Sequence, residues 1–379
     1  MAASGNETGY HYNMPEFCQD SLYLRNYSSY SVEELEDQFY TSFQGIVITV
    51  LYPLVATIGI FGNVAFLLAI LCYERMKTLT NFYLANLAVA DLLFTLFGVS
   101  CELLKYIFWR GWAYGSLLLT SYAQCFGVKL ISYLTYLASN CFIILVGFER
   151  FLAVCYPLKS LVVRTTKRTR TLIMITWLVA LSLAIIISFI TVNPYQYCII
   201  WPPGDIYKYM PNVISQCSQS KGLQNVFIYQ VVFGSTFILA AVLSIYFYVK
   251  IRQQLQHRIV TRSNQQQNNL RSQRQVLRML ATNSIVFYLC LAPLHILQWV
   301  GIYCSYNGID FDHKTPVVIA KLATFINSAA NPYIYGFMNK DYRMIYHQMF
   351  TKCCKQASQQ ESQPRSQQRQ ADNIHLRVL

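Results

Sequence analysis

Ionisable side chains occur inside long apolar stretches of this 379-residue chain. Asp91 interrupts the stretch 80–108, and Glu149 and Arg150 stand side by side near the end of the stretch 122–156. A buried carboxylate can bind a cation or accept hydrogen bonds, and an adjacent carboxylate and guanidinium can form an ion pair. Inside a membrane such groups are costly unless they face other helices, so by default they indicate a functional site.

Seven apolar stretches are long enough to cross a bilayer, which takes about 20 residues in a helix. The composition agrees, because 54% of the residues are hydrophobic and only 12% are charged, against about 25% in soluble domains. This composition excludes wholesale disorder and argues against an ordinary soluble enzyme. The stretches also lack the alternation of β-barrel strands. The sequence therefore predicts an all-α membrane protein, a seven-transmembrane helix bundle. Its spans 1 to 7 are predicted at residues 45–72, 80–108, 122–156, 171–191, 224–252, 275–303 and 315–338.

Lysine and arginine residues near the spans predict the orientation, because cytoplasmic loops carry an excess of them. The loop between spans 3 and 4 and the segment between spans 5 and 6 are rich in both residues, whereas the N-terminal segment is acidic. The N-terminus is therefore expected outside the cell, in a multi-pass protein of the plasma membrane. This topology accounts for most of the net charge of +13, and nucleic-acid binding is not expected.

Candidate modification sites lie at both ends of the chain. Sequons for N-glycosylation begin at Asn6 and Asn26, in the segment expected outside. Cys353 and Cys354 follow a short amphipathic stretch and are candidates for palmitoylation, with unmodified thiols as the alternative. The predicted regions are an extracellular segment 1–43, the bundle 44–338, an amphipathic eighth helix 339–350 and a disordered cytoplasmic tail 351–379.

Short motifs follow one another along the spans. They are Gly62-Asn63-Val64, Leu87-Ala-Val-Ala-Asp91, Glu149-Arg150-Phe151, Trp177, Cys290-Leu-Ala-Pro293 and Asn331-Pro332-Tyr-Ile-Tyr335. In this order and spacing they resemble the motifs of the rhodopsin-like (class A) family of G-protein-coupled receptors, over about residues 44–350. The pattern around Trp112 and in span 7 is similar to that of the peptide-receptor branch, including receptors of the thyrotropin-releasing-hormone type.

The resemblance implies a sodium site around Asp91. Ser139, Asn327 and Asn331 match the family positions that join this carboxylate around the ion. All four side chains supply oxygen ligands, which suit a hard cation. The alternative is a hydrogen-bonded polar cluster without an ion.

The resemblance also implies an output end for G-protein coupling. Arg150 would pair with Glu149 at rest and then swing to meet the G protein together with Tyr248 and Tyr335. Proline removes a backbone hydrogen bond and kinks helices, so the prolines of spans 6 and 7 are expected to act as hinges. The residues implied in coupling and activation are Glu149, Arg150, Tyr248, Phe287, Pro293, Asn331, Pro332 and Tyr335.

A disulfide is implied between the outer end of span 3 and the second outer loop. Cys125 holds the span 3 position, and the loop offers Cys198 and Cys217. Cys217 has the more typical spacing and is favoured, although sequence cannot settle connectivity. Cys18 and Cys304 are also expected outside and could form a second bridge.

Several positions depart from the family pattern. Phe151 replaces a tyrosine, Leu291 a tryptophan, Ala240 a proline and Asn140 an apolar residue. These changes predict an altered connection between the ligand pocket and the G-protein site. Gln273 stands where many relatives have an acid that pairs with the arginine, and this neutral residue predicts a weakly held resting state.

The residues at two pocket positions argue against two classes of ligand, amines and retinal. Ser132 replaces the aspartate that binds amines, and Phe325 replaces the lysine that binds retinal. Cations, aromatic rings and amides remain, beneath a long aromatic outer loop that suits a peptide. The implied ligand-binding residues are Glu102, Lys105, Lys129, Ser132, Tyr133, Tyr136, His295, Gln298, Lys321 and Phe325.

The sequence thus indicates a receptor that binds an extracellular peptide and activates a heterotrimeric G protein, with arrestin and receptor kinases as further partners. No enzymatic activity is expected, because zinc hydrolysis needs clustered ligands and of six histidines only His295 lies in a span. Sodium is the one ion expected, as an allosteric ligand. The alternatives are a receptor for a small non-amine ligand and a transporter or channel, although a transporter favours internal repeats and none is evident.

Overall fold

The computed structural model describes residues 23–113, 122–205, 207–219, 223–260 and 267–361. Helices occupy all seven predicted spans, and the prediction of a seven-helix bundle is confirmed. Spans 5 and 6 run further than predicted, because the flanking Gln- and Arg-rich segments contain good helix formers. The spans are Ser42–Cys72, Leu79–Phe108, Tyr122–Cys155, Thr166–Thr191, Leu223–Val260, Gln267–Asn307 and Lys314–Met338.

Within the described residues, six of these helices are long and apolar enough to cross a membrane. Span 7 is more polar than the other six helices. It packs against spans 1, 2 and 6, and its polar groups face these helices. Thr324, Asn327 and Ser328 of this span are all buried. Its polarity therefore reflects a position between other helices, as expected for polar residues at membrane depth.

Span 3 is the centre of the bundle and packs against spans 2, 4, 5 and 6. A buried amide and a partly buried indole join the outer helices. Asn63 of span 1 donates to the carbonyl of Ser328 in span 7 at 3.0 Å. Trp177 of span 4 donates to Asn86 of span 2 at 2.9 Å. These bonds satisfy polar groups that would otherwise be costly in a low-dielectric interior.

Local sequence signals set the starts of several helices. The hydroxyl of Thr78 accepts a hydrogen bond from the backbone N–H of Asn81 at the start of span 2. Thr165 caps span 4 in the same way through Arg168. Such side-chain caps satisfy N–H groups that lack a partner within the helix.

One end of the bundle carries a small sheet, so the all-α prediction was incomplete. We call this the outer end, and the opposite one the inner end, following the orientation that the charge pattern predicts. Strands β2 (Val192–Ile200) and β3 (Val213–Gln219) form an antiparallel hairpin. Strand β1 (Tyr23–Asn26) from the N-terminal segment pairs with β2 in parallel.

An aromatic cluster fastens the N-terminal segment to this hairpin and to the first outer loop. Trp112 lies 4.9 Å from Trp201 and 5.2 Å from Phe39, measured between ring centroids. Leu35 and Tyr207 are buried in the same cluster. Residues 23–40, 109–113, 192–205 and 207–219 therefore form one folded unit, which we call the outer cap.

The eighth helix is longer than predicted. It runs Lys340–Glu361, so the expected disordered tail from residue 351 is wrong as far as Glu361. The added segment contains Ala, Gln, Lys and Glu and no helix breaker before Pro364, which explains its helical backbone. Asn339 separates span 7 from helix 8, and its side chain caps the new helix through the N–H of Asp341 at 2.9 Å.

Candidate functional site

A cavity of about 310 Å³ opens among spans 2, 3, 5, 6 and 7 below the outer cap. Pockets for small ligands begin at about this size. It contains most of the residues predicted to bind a ligand. These are Glu102, Lys105, Lys129, Ser132, Tyr133, Tyr136, His295 and Gln298.

Two of the predicted ligand residues do not line the cavity directly, although one of them contacts its charged upper wall. Lys321 of span 7 reaches Glu102, with its Nζ 2.9 Å from the carboxylate. Phe325 is buried between spans 1, 2 and 7, where its ring lies 5.0 Å from Tyr52 and 5.6 Å from Phe94. The structure therefore assigns Phe325 to helix packing and does not bring it to the cavity.

The upper wall of the cavity is charged. Glu102 is only 14% exposed and lies between Lys105, at 3.4 Å, and Lys321. Lys129 of span 3 faces the same group, and the charges of Glu102, Lys105 and Lys321 all act on its ammonium. The arrangement brings three lysines around one carboxylate.

The middle of the cavity is aromatic and joins spans 3, 5 and 6. The hydroxyl of Tyr136 lies 2.8 Å from Nε2 of His295. Phe233 stacks on Tyr136 with ring centroids 4.9 Å apart, and Phe237 lies 4.5 Å from the His295 ring. Among the described residues, Nδ1 of His295 and Oε1 of Gln298 have no hydrogen-bond partner. Both residues line the cavity, and these two atoms are unsatisfied polar groups beside it.

The floor of the cavity holds the predicted sodium residues. Asp91 is 1% exposed and accepts a hydrogen bond from Asn331 at 2.6 Å. Ser139 and Asn327 line the same floor. The Asn327 Oδ1 atom is buried and has no partner within the described part of the chain. One carboxylate oxygen and one orphan amide oxygen at the floor of the cavity fit a hard cation.

At the inner end, Glu149 is bound from three sides. Thr80 donates to its carboxylate at 2.7 Å, and Arg164 donates through Nε at 2.8 Å and through a second, shorter bond. Arg150 lies 3.4 Å away, at ion-pair distance. The pairing of Glu149 with Arg150 is as the sequence predicted. The other two partners were missed by the sequence analysis. Arg164 was counted only among the basic loop residues that indicate the cytoplasmic side, and Thr80 has no feature that sets it apart from other residues of span 2.

Arg150 and Tyr248 line a second cavity, of about 150 Å³, among spans 2, 3, 5 and 6. We call it the inner cavity. Tyr335 does not line it and is 1% exposed between Phe66 and Tyr342, at 5.3 and 5.9 Å between centroids. An Arg150 that pairs with Glu149 while Tyr335 is turned away corresponds to the resting arrangement that the resemblance implies.

The unusual positions of the connector are well packed. Phe287 and Leu291 line the floor of the outer cavity, and Ala240 is fully buried. Asn140 donates to the carbonyl of Tyr136 one turn earlier in span 3, at 3.0 Å. Pro293 and Pro332 lie inside continuous helices. The connector therefore contains the Asn140 amide and, one turn away in span 3, the Tyr136–His295 bridge.

The inner end of span 6 is held by a glutamine that sequence reasoning missed. Gln273, the residue singled out from the pattern, is exposed. Gln275 is partly buried and donates from Nε2 to the carbonyl of Met338 at 2.8 Å. This bond links the inner ends of spans 6 and 7. Residues at (i, i+2) point to different sides of a helix, so a shift of two positions changes the partner entirely.

Cys125 and Cys198 each take part in a disulfide. The side chain of Cys217 and the whole of Cys18 lie outside the described residues, so the bond between Cys125 and Cys217 stays a prediction. Cys304 is a free, buried cysteine, which contradicts the proposed bridge between Cys18 and Cys304. The carbonyl of Cys304 accepts from Ile309 at a turn, and its side chain serves packing.

The predicted modification sites are only partly described. Asn26 is exposed at the end of β1, and its side chain accepts a hydrogen bond from Ser28 at 2.9 Å. Asn6 lies outside the described residues. The backbone at Cys353 and Cys354 belongs to helix 8, while their side chains are also outside that part.

Residues 62–335 match the family described as 7 transmembrane receptor (rhodopsin family). The chain belongs to this family. The matched range begins at the Gly62-Asn63 motif of span 1 and ends at Tyr335 of span 7. As a member of this family, the chain is a multi-pass receptor of the plasma membrane and not an enzyme.

The similar relatives include receptors for peptides. The chain is 27% identical to the neuromedin U receptor homolog nmur-2 of Caenorhabditis elegans, over 80% of the chain and 79% of the relative. It is 26% identical to the thyrotropin-releasing hormone receptor of Gallus gallus, over 82% and 80%. The allatostatin-A receptor of Bombyx mori is 25% identical, over 80% and 79%.

Proposed function

We propose that this receptor binds an extracellular peptide in the outer cavity and activates a heterotrimeric G protein from the inner cavity. The observation that carries the proposal is that one helix, span 3, lines both cavities. Span 3 contributes Lys129 and Tyr136 to the outer cavity and Arg150 to the inner cavity. A change in how span 3 packs against span 6 would therefore alter the positions of side chains in both cavities.

The outer cavity suits a peptide because its wall alternates charged, amide and aromatic groups. Backbone N–H groups of a peptide could donate to Gln298 and His295. Each of these residues has a buried polar atom without a partner in the described residues, and leaving such an atom unpaired is costly. Aromatic side chains of a peptide can stack against Tyr133 and Phe233, which supply large contact area. Of the relatives named above, one is a homolog of neuromedin U receptors and the others are receptors for thyrotropin-releasing hormone and allatostatin A, which agrees with a peptide ligand.

The inner cavity is the proposed docking place for the G protein. Its wall is mostly apolar apart from a few groups such as Arg150, Tyr248 and Asn283. When span 6 moves outward, Arg150 would leave Glu149 and contact the G protein together with Tyr248 and Tyr335. Arrestin and receptor kinases would use the same inner end once the receptor is active.

The orientation belongs to the proposal. The acidic N-terminal segment and the outer cap would face the outside, with glycans on Asn6 and Asn26, and the basic loops would face the cytoplasm. Palmitoyl groups on Cys353 and Cys354 would hold helix 8 at the inner leaflet. Tags at both ends test this orientation: on intact cells the N-terminal tag should be labelled and the C-terminal tag should not.

A peptide screen tests the function. Cells that express the chain or its Arg150→Ala variant at equal surface level are exposed to a peptide library, and calcium and cyclic AMP are recorded. We expect dose-dependent responses in the parent and none in the variant. Solute uptake or ionic current that needs no G protein, with equal size in both, would identify a transporter or channel instead.

A further inference from the structure

The upper wall of the outer cavity carries more positive than negative charge. Lys105, Lys129 and Lys321 surround a single carboxylate, that of Glu102. Lys105 and Lys321 are both within ion-pair distance of that carboxylate. The cluster therefore has an excess of two positive charges in a region shielded by the helices of the bundle.

Lys129 is the member of the cluster for which the described part of the chain offers no partner. Within the described residues it makes neither a hydrogen bond nor an ion pair, and it is only partly exposed. A partly buried ammonium that lacks an anion is costly, because its charge is desolvated without compensation. Glu102 makes no ion pair with Lys129 in this arrangement, and its Oε1 atom contacts Lys105 and Lys321 instead.

The other acid of the cavity is too distant to neutralise Lys129. Asp91 lies in span 2 eleven residues before Glu102, which in a helix amounts to roughly 16 Å along the axis. It is also bound to Asn331 at the floor. The excess charge at the upper wall therefore remains for a molecule that enters from the outer end.

We infer that the cavity selects a ligand with a carboxylate, which binds Lys129 near the top of span 3. This rests on the proposed function, in which the ligand is a peptide. The carboxylate can come from a free C-terminus or from an acidic side chain. A peptide whose end is amidated and that lacks an acidic side chain would leave Lys129 without its anion.

Small probes test the inference without knowledge of the natural ligand. The purified full chain is heated with N-acetyltyrosine, with its uncharged twin N-acetyltyrosinamide, or with N-acetylglutamic acid α-amide, whose carboxylate is in the side chain. Probe concentrations on the order of 10 mM suit weak binding, because a ligand that binds only the folded state at free concentration c stabilises it by RT ln(1 + c/Kd) and so raises the unfolding midpoint once c exceeds Kd. N-acetyltyrosine should bind about tenfold more tightly than the amide, as expected for a charge-assisted hydrogen bond. The relative effect of the glutamate probe then assigns the source of the carboxylate.

Substitutions that remove a positive or a negative charge from the cluster should change the affinity for the acid probes in opposite directions. Lys129→Gln should remove the preference for acid over amide, and Lys129→Arg should keep it. Glu102→Gln should increase the affinity for the acid probes, because it releases Lys105 and Lys321. Lys208→Gln, the same charge change in the second outer loop outside this cavity, should behave as the parent.

Equal stabilisation by acid and amide probes in the parent, including none by either, would overturn the inference. So would an acid preference that persists in Lys129→Gln. These readouts need no G protein, so they separate the inference from the proposed function. A clear acid preference in a chain that never activates a G protein would support the carboxylate site and reject the receptor mechanism.

Discussion

Glu149 is satisfied by groups from three parts of the chain, and this arrangement bears on how Arg150 can move. Breaking a buried ion pair by removing one partner costs about 3–5 kcal/mol, because a buried charge is left alone. Here Arg164 and Thr80 also bind Glu149 and would still satisfy its carboxylate when Arg150 leaves. The release of Arg150 should therefore cost less than in a simple two-residue pair.

Arg164 supplies a direct test of this idea. In Arg164→Gln the carboxylate of Glu149 has Arg150 as its remaining charged partner, so Arg150 should be held more firmly. We expect agonist-free nucleotide exchange to fall several-fold, within the range of about 1–3 kcal/mol typical of coupling between sites. Lys167→Gln is the matched control, because Lys167 carries the same charge nearby and is exposed. Unchanged exchange in Arg164→Gln, or equal losses in both variants, would contradict this view.

The floor of the outer cavity makes a second prediction at the scale of residues. If sodium binds Asp91, Ser139, Asn327 and Asn331 in the resting state, raising sodium at constant ionic strength should weaken binding of an agonist. A ligand that prefers one state shifts the equilibrium by its differential affinity. Asp91→Asn should abolish the effect in radioligand binding, and replacing sodium by N-methylglucamine should mimic the variant. Equal sodium sensitivity of parent and Asp91→Asn would show that the cluster is only hydrogen-bonded.

At the scale of helices, the hydrogen bond from Gln275 to Met338 is the observed link between the inner ends of spans 6 and 7. Outward movement of span 6 must break it. A net contribution of about 0.5–1.5 kcal/mol predicts that Gln275→Ala raises agonist-free exchange a few-fold. Gln273→Ala, two residues earlier and exposed, is the control and should leave exchange unchanged. A larger effect at Gln273 than at Gln275 would contradict this prediction. It would show that position 273, which the sequence pattern favoured, restrains span 6 in the resting state.

The hairpin of the outer cap depends on its disulfides. We expect Cys125 to be bridged to Cys217, so that β3 is tied to the outer end of span 3. Loss of either cysteine should then reduce surface expression, since removal of a native bridge often costs about 2–5 kcal/mol. Peptide mapping of the non-reduced protein by mass spectrometry identifies the bond. A bond between Cys125 and Cys198 would make this assignment wrong.

Hydropathy and motif order predicted the helices of this molecule but not its outer cap. A span is a local property, and the bounds of span 2 lie within a residue or so of the prediction. The pairing of Tyr23–Asn26 with Tyr197–Ile200 joins segments far apart in the sequence, and no local pattern signals it. The extension of helix 8 was missed because a polar, Gln-rich composition reads equally as disorder or as an exposed helix.

In the candidate site too, residues with a clear local sequence signal were predicted and residues without one were missed. Asp91, Glu149 and Arg150 were found because charged residues are rare in apolar stretches. Arg164 and Gln275 were missed because each looks like an ordinary polar residue near a helix end. Phe325 was placed at the ligand by its position in the family pattern, whereas the packing of Tyr52 and Phe94 turns it toward span 1.

At the scale of the whole molecule, the central claim is that the bundle transmits a signal through Arg150 once Glu149 releases it. The most direct test is ligand-free guanine-nucleotide exchange on a panel of purified G proteins, with the parent, Glu149→Gln, and Glu149→Gln combined with Arg150→Ala. The account predicts faster exchange with Glu149→Gln on at least one G protein, by about 5- to 150-fold, and a return to the receptor-free rate in the double variant. Exchange in the double variant as fast as in Glu149→Gln alone would contradict it.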